Sequence, residues 1–173
     1  TETVYGLGAN ALSKEAVTKL YEIKRRPSFN PLIIHVSSYD MAKEYGIFNY
    51  TAEKLVKKYW PGPLTLIVKK KKSKVVEAAT AQLETIALRC PSNIIASSLI
   101  QELGKPIAAP SANKSGKLTC TNPGDVFAKL RNSIDALLNG GDAELGLEST
   151  VVDCSVEKPC VLRLGNITLN EIS

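Results

Sequence analysis

The sequence predicts a single α/β domain of the α+β type, in which helices flank a twisted sheet of mixed parallel and antiparallel strands. Short apolar runs predict strands, and segments of helical periodicity alternate with them along the chain. The chain has 173 residues and 44% hydrophobic content, enough to bury one core without disulfides. No repeat, linker or low-complexity tract divides it, so we assign residues 1–173 to one domain.

The first helix is predicted at residues 13–24, where apolar residues recur at helical spacing. Ser13 can cap its N-terminus with the side-chain hydroxyl. The helix is expected to end before Pro27, because proline does not continue a helix. The apolar run at 31–36 that follows predicts a short buried strand.

Two more helices are predicted at 38–45 and 51–59, with Ser38 and Thr51 as their caps. The proline- and glycine-containing stretch WPGP then marks a turn. This turn leads into a strand at 64–69.

A lysine-rich loop follows, formed by residues 69–72 with Lys74. Such a run is typical of a solvated turn, and an RNA contact is the open alternative. The segment 84–89 predicts the next strand. Ser92 is the expected cap of a helix that ends at Gly104, where glycine suits a left-handed C-terminal residue.

The last third of the chain is rich in loops. A short strand is predicted at 106–110, followed by a long polar loop at 111–125. Within that loop Asn122 caps a helix whose first residue is proline. Two alternating segments, 149–155 and 160–165, predict a pair of strands.

Charge and cysteine content restrict the class of function. The net charge of +5 favours anionic partners such as nucleotide, phosphate or RNA, with ordinary solubility charge as the alternative. The four cysteines lack CxxC spacing, which argues against zinc and for reduced thiols. No apolar run approaches the length of a membrane span. We therefore expect a cytoplasmic protein without membrane contact.

The opening stretch TETVYGLGANA contains a literal match to the dinucleotide-binding pattern G-x-G-x-x-G/A. That pattern requires an apolar strand before the glycines and a helix directly after them. Here polar residues precede Gly6, and the helical pattern starts only at Ser13. The nearest acidic residue, Glu22, lies inside that helix rather than at a strand end. A dinucleotide-binding loop is therefore disfavoured.

Three cations, Lys24, Arg25 and Arg26, stand at the predicted end of the first helix, with Asn30 a little further on. Cations at this position complement the helix dipole, which is the purely structural interpretation. The same group also makes a suitable clamp for a triphosphate.

Further polar residues follow predicted strands. Ser111, Asn113 and Ser115 form a small hydroxyl and amide group suited to phosphate. Arg89 ends an apolar strand, where it either reaches solvent or holds a carboxylate. His35 is more typical of a satisfied core histidine than of a catalyst. Because these residues lie at strand ends or in adjacent loops, we expect them to converge on one basic concave face.

Six stretches, in order along nearly the whole chain, resemble motifs of the YrdC/Sua5 family of threonylcarbamoyl-adenylate synthases. Each is weakly specific alone, and the six together are highly specific. They are TETVYGLGANA, KRRPSFNPLIIHV, WPGPLTLIV, ALRCP, APSANKSG and GLESTVVD followed by LRLG.

The resemblance implies a nucleotidyltransferase of tRNA processing. L-threonine and bicarbonate would form a carbamate that attacks the α-phosphorus of ATP, releasing pyrophosphate and leaving threonylcarbamoyl-AMP. A t6A transferase complex would use this product to modify tRNA, and a direct contact with tRNA or double-stranded RNA is a further expectation. Mg²⁺ would accompany ATP, held mainly by the phosphates and water rather than by a protein metal site.

The resemblance also implies roles for individual residues. Lys24 and Arg26 would be catalytic and face the triphosphate, and Arg89 would pair with the carboxylate of threonine. The ATP site would comprise Lys24, Arg26, Asn30, Thr85, Ser111, Asn113, Thr119 and Arg163. The threonine pocket would comprise Thr3, His35, Arg89, Ala109 and Ser149.

The chain departs from the family pattern in two respects. Arg25 stands where the family often has glycine or another small residue. The family also carries roughly one more strand and helix upstream, and its long members have a C-terminal Sua5 domain. We therefore expect a short form or a fragment of a long one, lacking these elements.

Three other functions are compatible with the fold. The first is a double-stranded RNA or tRNA-binding module without catalysis, which would not need the threonine-pocket residues. The second is a carbamoyl-adenylate-forming domain like that of hydrogenase maturation proteins, whose acylphosphatase-like and zinc-finger neighbours are not seen. The third is a regulatory domain that has lost activity, against which the intact polar set argues.

Overall fold

A computed structural model gives the fold of the chain and describes residues 1–113, 116 and 118–172. Among these residues lie eight strands, six α-helices and one 3₁₀-helix (Glu77–Thr80). The strands are β1 (Ala9–Asn10), β2 (Ile33–His35), β3 (Gly46–Ile47), β4 (Leu64–Lys70), β5 (Thr85–Arg89), β6 (Ile107–Ala108), β7 (Thr150–Asp153) and β8 (Cys160–Arg163). The helices are α1 (Lys14–Lys24), α2 (Tyr39–Tyr45), α3 (Tyr50–Tyr59), α4 (Ile94–Leu103), α5 (Pro123–Leu130) and α6 (Leu169–Ile172).

The strands form one mixed sheet in the order β1-β6-β2-β5-β4-β7-β8, with β3 pairing along the far end of β4. The pairs β2–β5 and β4–β7 are parallel, and the other pairs are antiparallel. The predicted α/β domain with a mixed sheet is confirmed.

The two faces of the sheet differ in burial, because side chains alternate between them along each strand. One face carries Ile34, Leu66 and Leu88, which are fully buried and pack with apolar residues of α1, α2 and α3 in the main core. The opposite face carries Ile33, Ile67 and Ala87, which are only half-buried. We call this second face the open face, and it bears the candidate site.

A second, smaller core holds the polar loop in place. Ala112 and Cys120 of the loop pack with Val126 and Leu130 of α5, all four being buried. The loop that follows β6 is thereby attached to α5 rather than to the sheet.

Helix caps follow the sequence in three cases and differ from it in two. Ser13, Ser38 and Asn122 are confirmed as N-caps, each accepting a backbone N–H bond. The predicted caps Thr51 and Ser92 are wrong, because Asn49 and Asn93 cap these helices instead. Asparagine is a strong N-cap residue, so a helix with asparagine close to a serine or threonine has more than one possible start.

The end of α1 depends on an unusual backbone conformation. Arg25 has a φ of 50°, in the left-handed region, so the helix turns off before Pro27. Glycine adopts this conformation without the steric cost of a Cβ atom, which explains why a small residue suits the position.

Among the described residues, no helix combines the length and apolar character that a membrane crossing requires.

Candidate functional site

The open face is organised in rows that cross the strands. His35 of β2 pairs with Arg89 of β5, and the register of β4 with β5 places Thr65 beside Arg89. Thr85 begins β5 four residues earlier, roughly 13 Å away along the strand at about 3.3 Å per residue. The face therefore has two ends, one at the row of Thr65, Arg89 and His35 and the other at Thr85.

Arg89 is buried and its guanidinium is held by three groups. Nη2 forms an ion pair with Oε1 of Glu2 at 2.7 Å. Nη1 donates to Oγ1 of Thr3 at 2.8 Å, and Nε donates to the carbonyl of Gly62 at 3.2 Å. Because a guanidinium has five N–H groups, two of them have no partner among the described residues.

Glu2 was not predicted as a site residue, and it changes the interpretation of Arg89. Burial raises the pKa of the Glu2 carboxyl, but the charge and hydrogen bond of Arg89 outweigh burial and lower it overall. Glu2 also accepts from the backbone N–H groups of Ser92 and Asn93, at 3.3 and 3.4 Å, where α4 begins. Arg89 is thus already neutralised within the protein, so it offers hydrogen-bond donors rather than an unpaired charge.

His35 is buried, but it is not the satisfied core histidine that the sequence favours. Its Nδ1 atom is buried and has no hydrogen-bond partner. Burial lowers the pKa of His35 to about 3, and the charge of Arg89 acts in the same direction. The ring is therefore neutral at physiological pH and has one unpaired nitrogen beside Arg89.

Ser149 and Arg163, predicted for different substrates, are bonded to each other. Nη2 of Arg163 donates to Oγ of Ser149 at 3.1 Å, and Nε donates to the Ser149 carbonyl at 3.0 Å. Oγ of Ser149 also lies 2.7 Å from Oγ1 of Thr65. Nη1 of Arg163 pairs with Glu148 at 2.5 Å. This chain of contacts joins the predicted ATP residues to the predicted threonine residues.

Lys24 is buried at the end of α1, and its ammonium is fully engaged. It donates to the backbone carbonyl of Ser111, to the carbonyl of Asn113 at 2.5 Å and to Oδ1 of Asn113 at 3.3 Å. Burial lowers the pKa of Lys24 to about 8, with the charge of Arg26 as the next cause. Lys24 therefore fixes the start of the polar loop while carrying a positive charge into the site.

Arg26 braces the turn between α1 and β2. Its Nε donates to the Asn30 carbonyl at 3.0 Å, and its Nη2 donates to Oδ1 of Asn30 at 3.0 Å and to the Pro31 carbonyl at 2.7 Å. Burial lowers the pKa of Arg26, Tyr21 opposes this shift, and the charge of Arg163 adds to it.

The charged residues of the site shift one another's pKa values. Beyond the effect of burial, the charge of Arg163 lowers the pKa of Arg26 and of Arg89, and the charge of Glu148 raises the pKa of Lys24 and of Arg26. Lys24, Arg26 and Arg163 are thus three cations gathered around one carboxylate. With Arg89 balanced by Glu2, the surplus of positive charge suits a polyanion such as a triphosphate.

Three further predicted residues, Thr85, Thr119 and Ala109, form no side-chain hydrogen bond with these clusters among the described residues. Thr85 and Thr119 are half-buried, and the backbone N–H of Ala109 donates to the Ile33 carbonyl at 3.0 Å. Ser115 lies outside the described residues. No group of three or more His, Cys, Asp or Glu suited to a metal occurs in the described part of the chain.

The opening glycine loop packs against the segment after β6. Gly6 forms an isolated antiparallel bridge with Ser111, and the Leu7 N–H donates to the Pro110 carbonyl at 2.8 Å. The glycines lead into the short antiparallel strand β1 rather than into a helix. The loop is therefore part of the wall around Ser111, and the dinucleotide-binding interpretation does not fit.

With this geometry in place, comparison with known proteins assigns the fold to a family. A family model for Sua5, YciO and YrdC proteins, described as "Telomere recombination", matches residues 1–165. The chain belongs to this family. It is 46% identical to the threonylcarbamoyl-AMP synthase of Bacillus subtilis over 173 residues, which is 99% of this chain and 50% of that protein.

Two solved structures of the family are closely similar. Sua5 of P. abyssi complexed with L-threonine superposes with a TM-score of 0.96 at 44% identity, covering 99% of this chain and 51% of that one. YciO of E. coli gives a TM-score of 0.89 at 27% identity, covering 100% of this chain and 84% of that one. The chain thus spans about half the length of the B. subtilis and P. abyssi proteins.

Three residues of this Sua5/YciO/YrdC domain escaped prediction from the sequence, namely Glu2, Thr65 and Glu148. Each lies within one of the quoted motifs, and Glu2 and Glu148 directly precede the predicted residues Thr3 and Ser149. Glu2 and Thr65 lie 87 and 84 residues from their partners Arg89 and Ser149. For Thr65 the available signal was a polar residue inside an apolar strand.

Proposed function

We propose that this chain is the catalytic domain of an L-threonylcarbamoyladenylate synthase, a nucleotidyltransferase that uses L-threonine, bicarbonate and ATP. Its products would be threonylcarbamoyl-AMP and pyrophosphate, in the first step of t6A formation in tRNA. Family membership and the name of the B. subtilis relative support this activity. The observation that carries the proposal is the continuous polar chain from Arg163 through Ser149 to Thr65, which joins the cations to the row of Arg89 and His35.

ATP lies beside the cations of the open face in this proposal. Lys24 and Arg26 supply positive charge to the triphosphate, together with Arg163. In-line displacement at phosphorus depends on positioning and charge stabilisation more than on a strong base. The half-buried apolar floor of the open face, with Ile33 and Ala87, gives the nucleoside a surface to lie on.

The remaining predicted ATP residues surround this position. Lys24 acts through the loop it holds, because its donors are directed to Ser111 and Asn113. Asn30 and Thr85 lie at the end of the open face away from Arg89. Thr119 belongs to the same polar loop as Ser111.

Threonine occupies the row of Arg89 and His35 in this proposal. The two unpartnered N–H groups of Arg89 and the hydroxyl of Ser149 are donors for oxygen atoms of the amino acid. The neutral His35 ring lies in the same row as Arg89 and adds no charge to the pocket. Thr3 and Ala109 complete the pocket. The binding of L-threonine to P. abyssi Sua5 supports this class of ligand.

Mg²⁺ enters with ATP rather than through a protein cage. Among the described residues, the carboxylate that acts on the cations Lys24 and Arg26 is Glu148, which is paired with Arg163. Such a site leaves most coordination positions of the ion to phosphate oxygens and water, which is the usual arrangement for Mg²⁺ with nucleotides.

The product would pass to a t6A transferase complex in the cytoplasm. A direct tRNA or double-stranded RNA contact stays a prediction, and the lysine-rich loop is its natural location. Two lysines there are already engaged, since Lys70 pairs with Glu77 at 2.7 Å and Lys71 donates to the Lys43 carbonyl at 2.7 Å.

Pyrophosphate release measured with ATP, Mg²⁺ and bicarbonate tests the proposal. We expect release that requires L-threonine, with serine and valine as matched amino acids that lack the methyl or the hydroxyl. Mass spectrometry of the same reaction should detect threonylcarbamoyl-AMP. Release that is independent of any amino acid, or no release with threonine present, would contradict the proposed activity.

A further inference from the structure

The hydroxyl of Ser149 stands between two neighbours that together determine its direction. Nη2 of Arg163 donates to Oγ of Ser149 at 3.1 Å. Oγ1 of Thr65 lies 2.7 Å from the same oxygen, and distance alone leaves either hydroxyl as the donor. Ser149 and Thr65 are both buried, at 2% and 0% exposure.

The hydrogen-bonding capacity of each hydroxyl favours Thr65 as the donor. A hydroxyl has one proton and two acceptor positions. If Ser149 donated to Thr65, the Thr65 proton would lack an acceptor among the described residues at a completely enclosed position, which is costly. If Thr65 donates, both acceptor positions of Ser149 are filled, by Thr65 and by Arg163.

The second arrangement leaves the Ser149 proton without an acceptor among the described residues. Ser149 is 2% exposed and its partner Arg163 has a side chain that is 38% exposed, whereas Thr65 is completely enclosed. Of the two hydroxyls, Ser149 is therefore the one beside the open part of the molecule, and substrate bound there, as the proposed function requires, would supply the missing acceptor.

We propose that Thr65 is a positioning residue that turns Ser149 into an obligate hydrogen-bond donor toward the amino-acid substrate. The group recognised is an acceptor-only oxygen, namely a carboxylate or carbamate oxygen of the aminoacyl substrate. A donor such as an ammonium group is disfavoured there, since Ser149 has no acceptor position left. This inference rests on the proposed function, which places the amino acid at Ser149.

Steady-state kinetics of the chain with Thr65→Val and Thr65→Ser test the inference. Valine keeps the shape of threonine but removes the donor, so we expect KM for L-threonine to rise about tenfold, as for one lost hydrogen bond. The KM for ATP should stay within about twofold. Serine retains the donor and should restore KM for threonine to within about threefold of the original chain.

A double-mutant cycle separates positioning from packing. Ser149→Ala should raise KM for threonine, and adding Thr65→Val to it should cause no further rise, because the hydroxyl being oriented is gone. Thr65→Ala provides a second donor-less variant should the valine variant fail to fold, as judged by circular dichroism.

Three results would overturn the inference. They are an unchanged KM in Thr65→Val or Thr65→Ala, an equal defect in Thr65→Ser, and additive effects in the double variant. If the unsubstituted chain shows no threonine-dependent activity, the proposed function itself is overturned, and the inference with it.

Discussion

At the scale of single residues, the site is built from buried charged groups whose partners are other parts of the protein. Lys24 directs its ammonium at the polar loop, and Arg89 directs its guanidinium at Glu2 and Thr3. Removing such groups from water is costly unless they are paired, and here each of the two cations has several protein partners. The residues therefore hold the site in shape before any substrate arrives.

The lowered pKa of Lys24 predicts a pH dependence of ATP binding. Lys24 is protonated below its pKa of about 8 and loses its charge as the pH rises through that value. Because the triphosphate favours the protonated form, we expect the Kd for ATP to rise about tenfold between pH 7 and pH 9. His35 adds no dependence above pH 5, since its pKa is about 3.

Isothermal titration calorimetry across this pH range, with Lys24→Met and Lys19→Met as variants, measures the effect. Lys24→Met should bind ATP weakly at every pH, and Lys19→Met, at an exposed position of α1, should behave like the original chain. An ATP affinity that stays flat to pH 9 in the original chain would refute the role of Lys24.

At the scale of elements, the end of α1 places Lys24 and Arg26 on either side of a strained residue. Arg25 adopts the left-handed conformation with a φ of 50° and is exposed to solvent. The backbone N–H of Arg26 then donates to the Tyr21 carbonyl at 3.0 Å, closing the helix. This turn lets two nearby cations face different parts of the site.

The strain at this turn predicts a stabilising substitution. Arg25→Gly should raise the free energy of unfolding by about 1 kcal/mol, because glycine has no Cβ in the left-handed region. The melting temperature should increase by about 2–4 °C. Arg25→Ala removes the same charge but keeps the Cβ atom, so it should give no such gain in differential scanning calorimetry. Equal melting temperatures for the two variants would show that charge, not strain, governs the position.

Elements were predictable where a single signal dominated. The strand at Leu64–Lys70 and the helix behind Ser13 follow from apolar periodicity and one cap. The strands Ala9–Asn10 and Gly46–Ile47 were not predicted, because two residues carry no periodicity and depend on pairing with distant strands. Among the site residues, the motifs indicated Arg89 but not Glu2, since a partner 87 residues away is visible only after folding.

At the scale of the whole molecule, one ion pair ties three distant segments together. Glu2 links the start of the chain to the end of β5 through Arg89 and to the start of α4 through two backbone N–H groups. Both side chains are 4% exposed. The threonine end of the open face depends on this connection, because Arg89 and Thr3 both belong to it.

Glu2→Gln removes one charge from this pair while keeping its shape. We expect the free energy of unfolding to fall by about 3–5 kcal/mol, because the Arg89 charge is left buried without its partner. The exposed pair of Lys19 and Asp135, at 3.1 Å, provides the control, and Asp135→Asn should have no measurable effect. Urea unfolding followed by circular dichroism measures both variants. A similar midpoint for Glu2→Gln and the original chain would mean that the pair does not anchor the fold.

ATP and threonine are expected to bind side by side on the open face, and a crystal structure with both ligands bound would show this. A non-hydrolysable ATP analogue and L-threonine are the ligands to use. We expect the triphosphate among Lys24, Arg26 and Arg163, and the amino acid at Arg89 and Ser149. A nucleotide bound away from these cations, or threonine outside the open face, would contradict it.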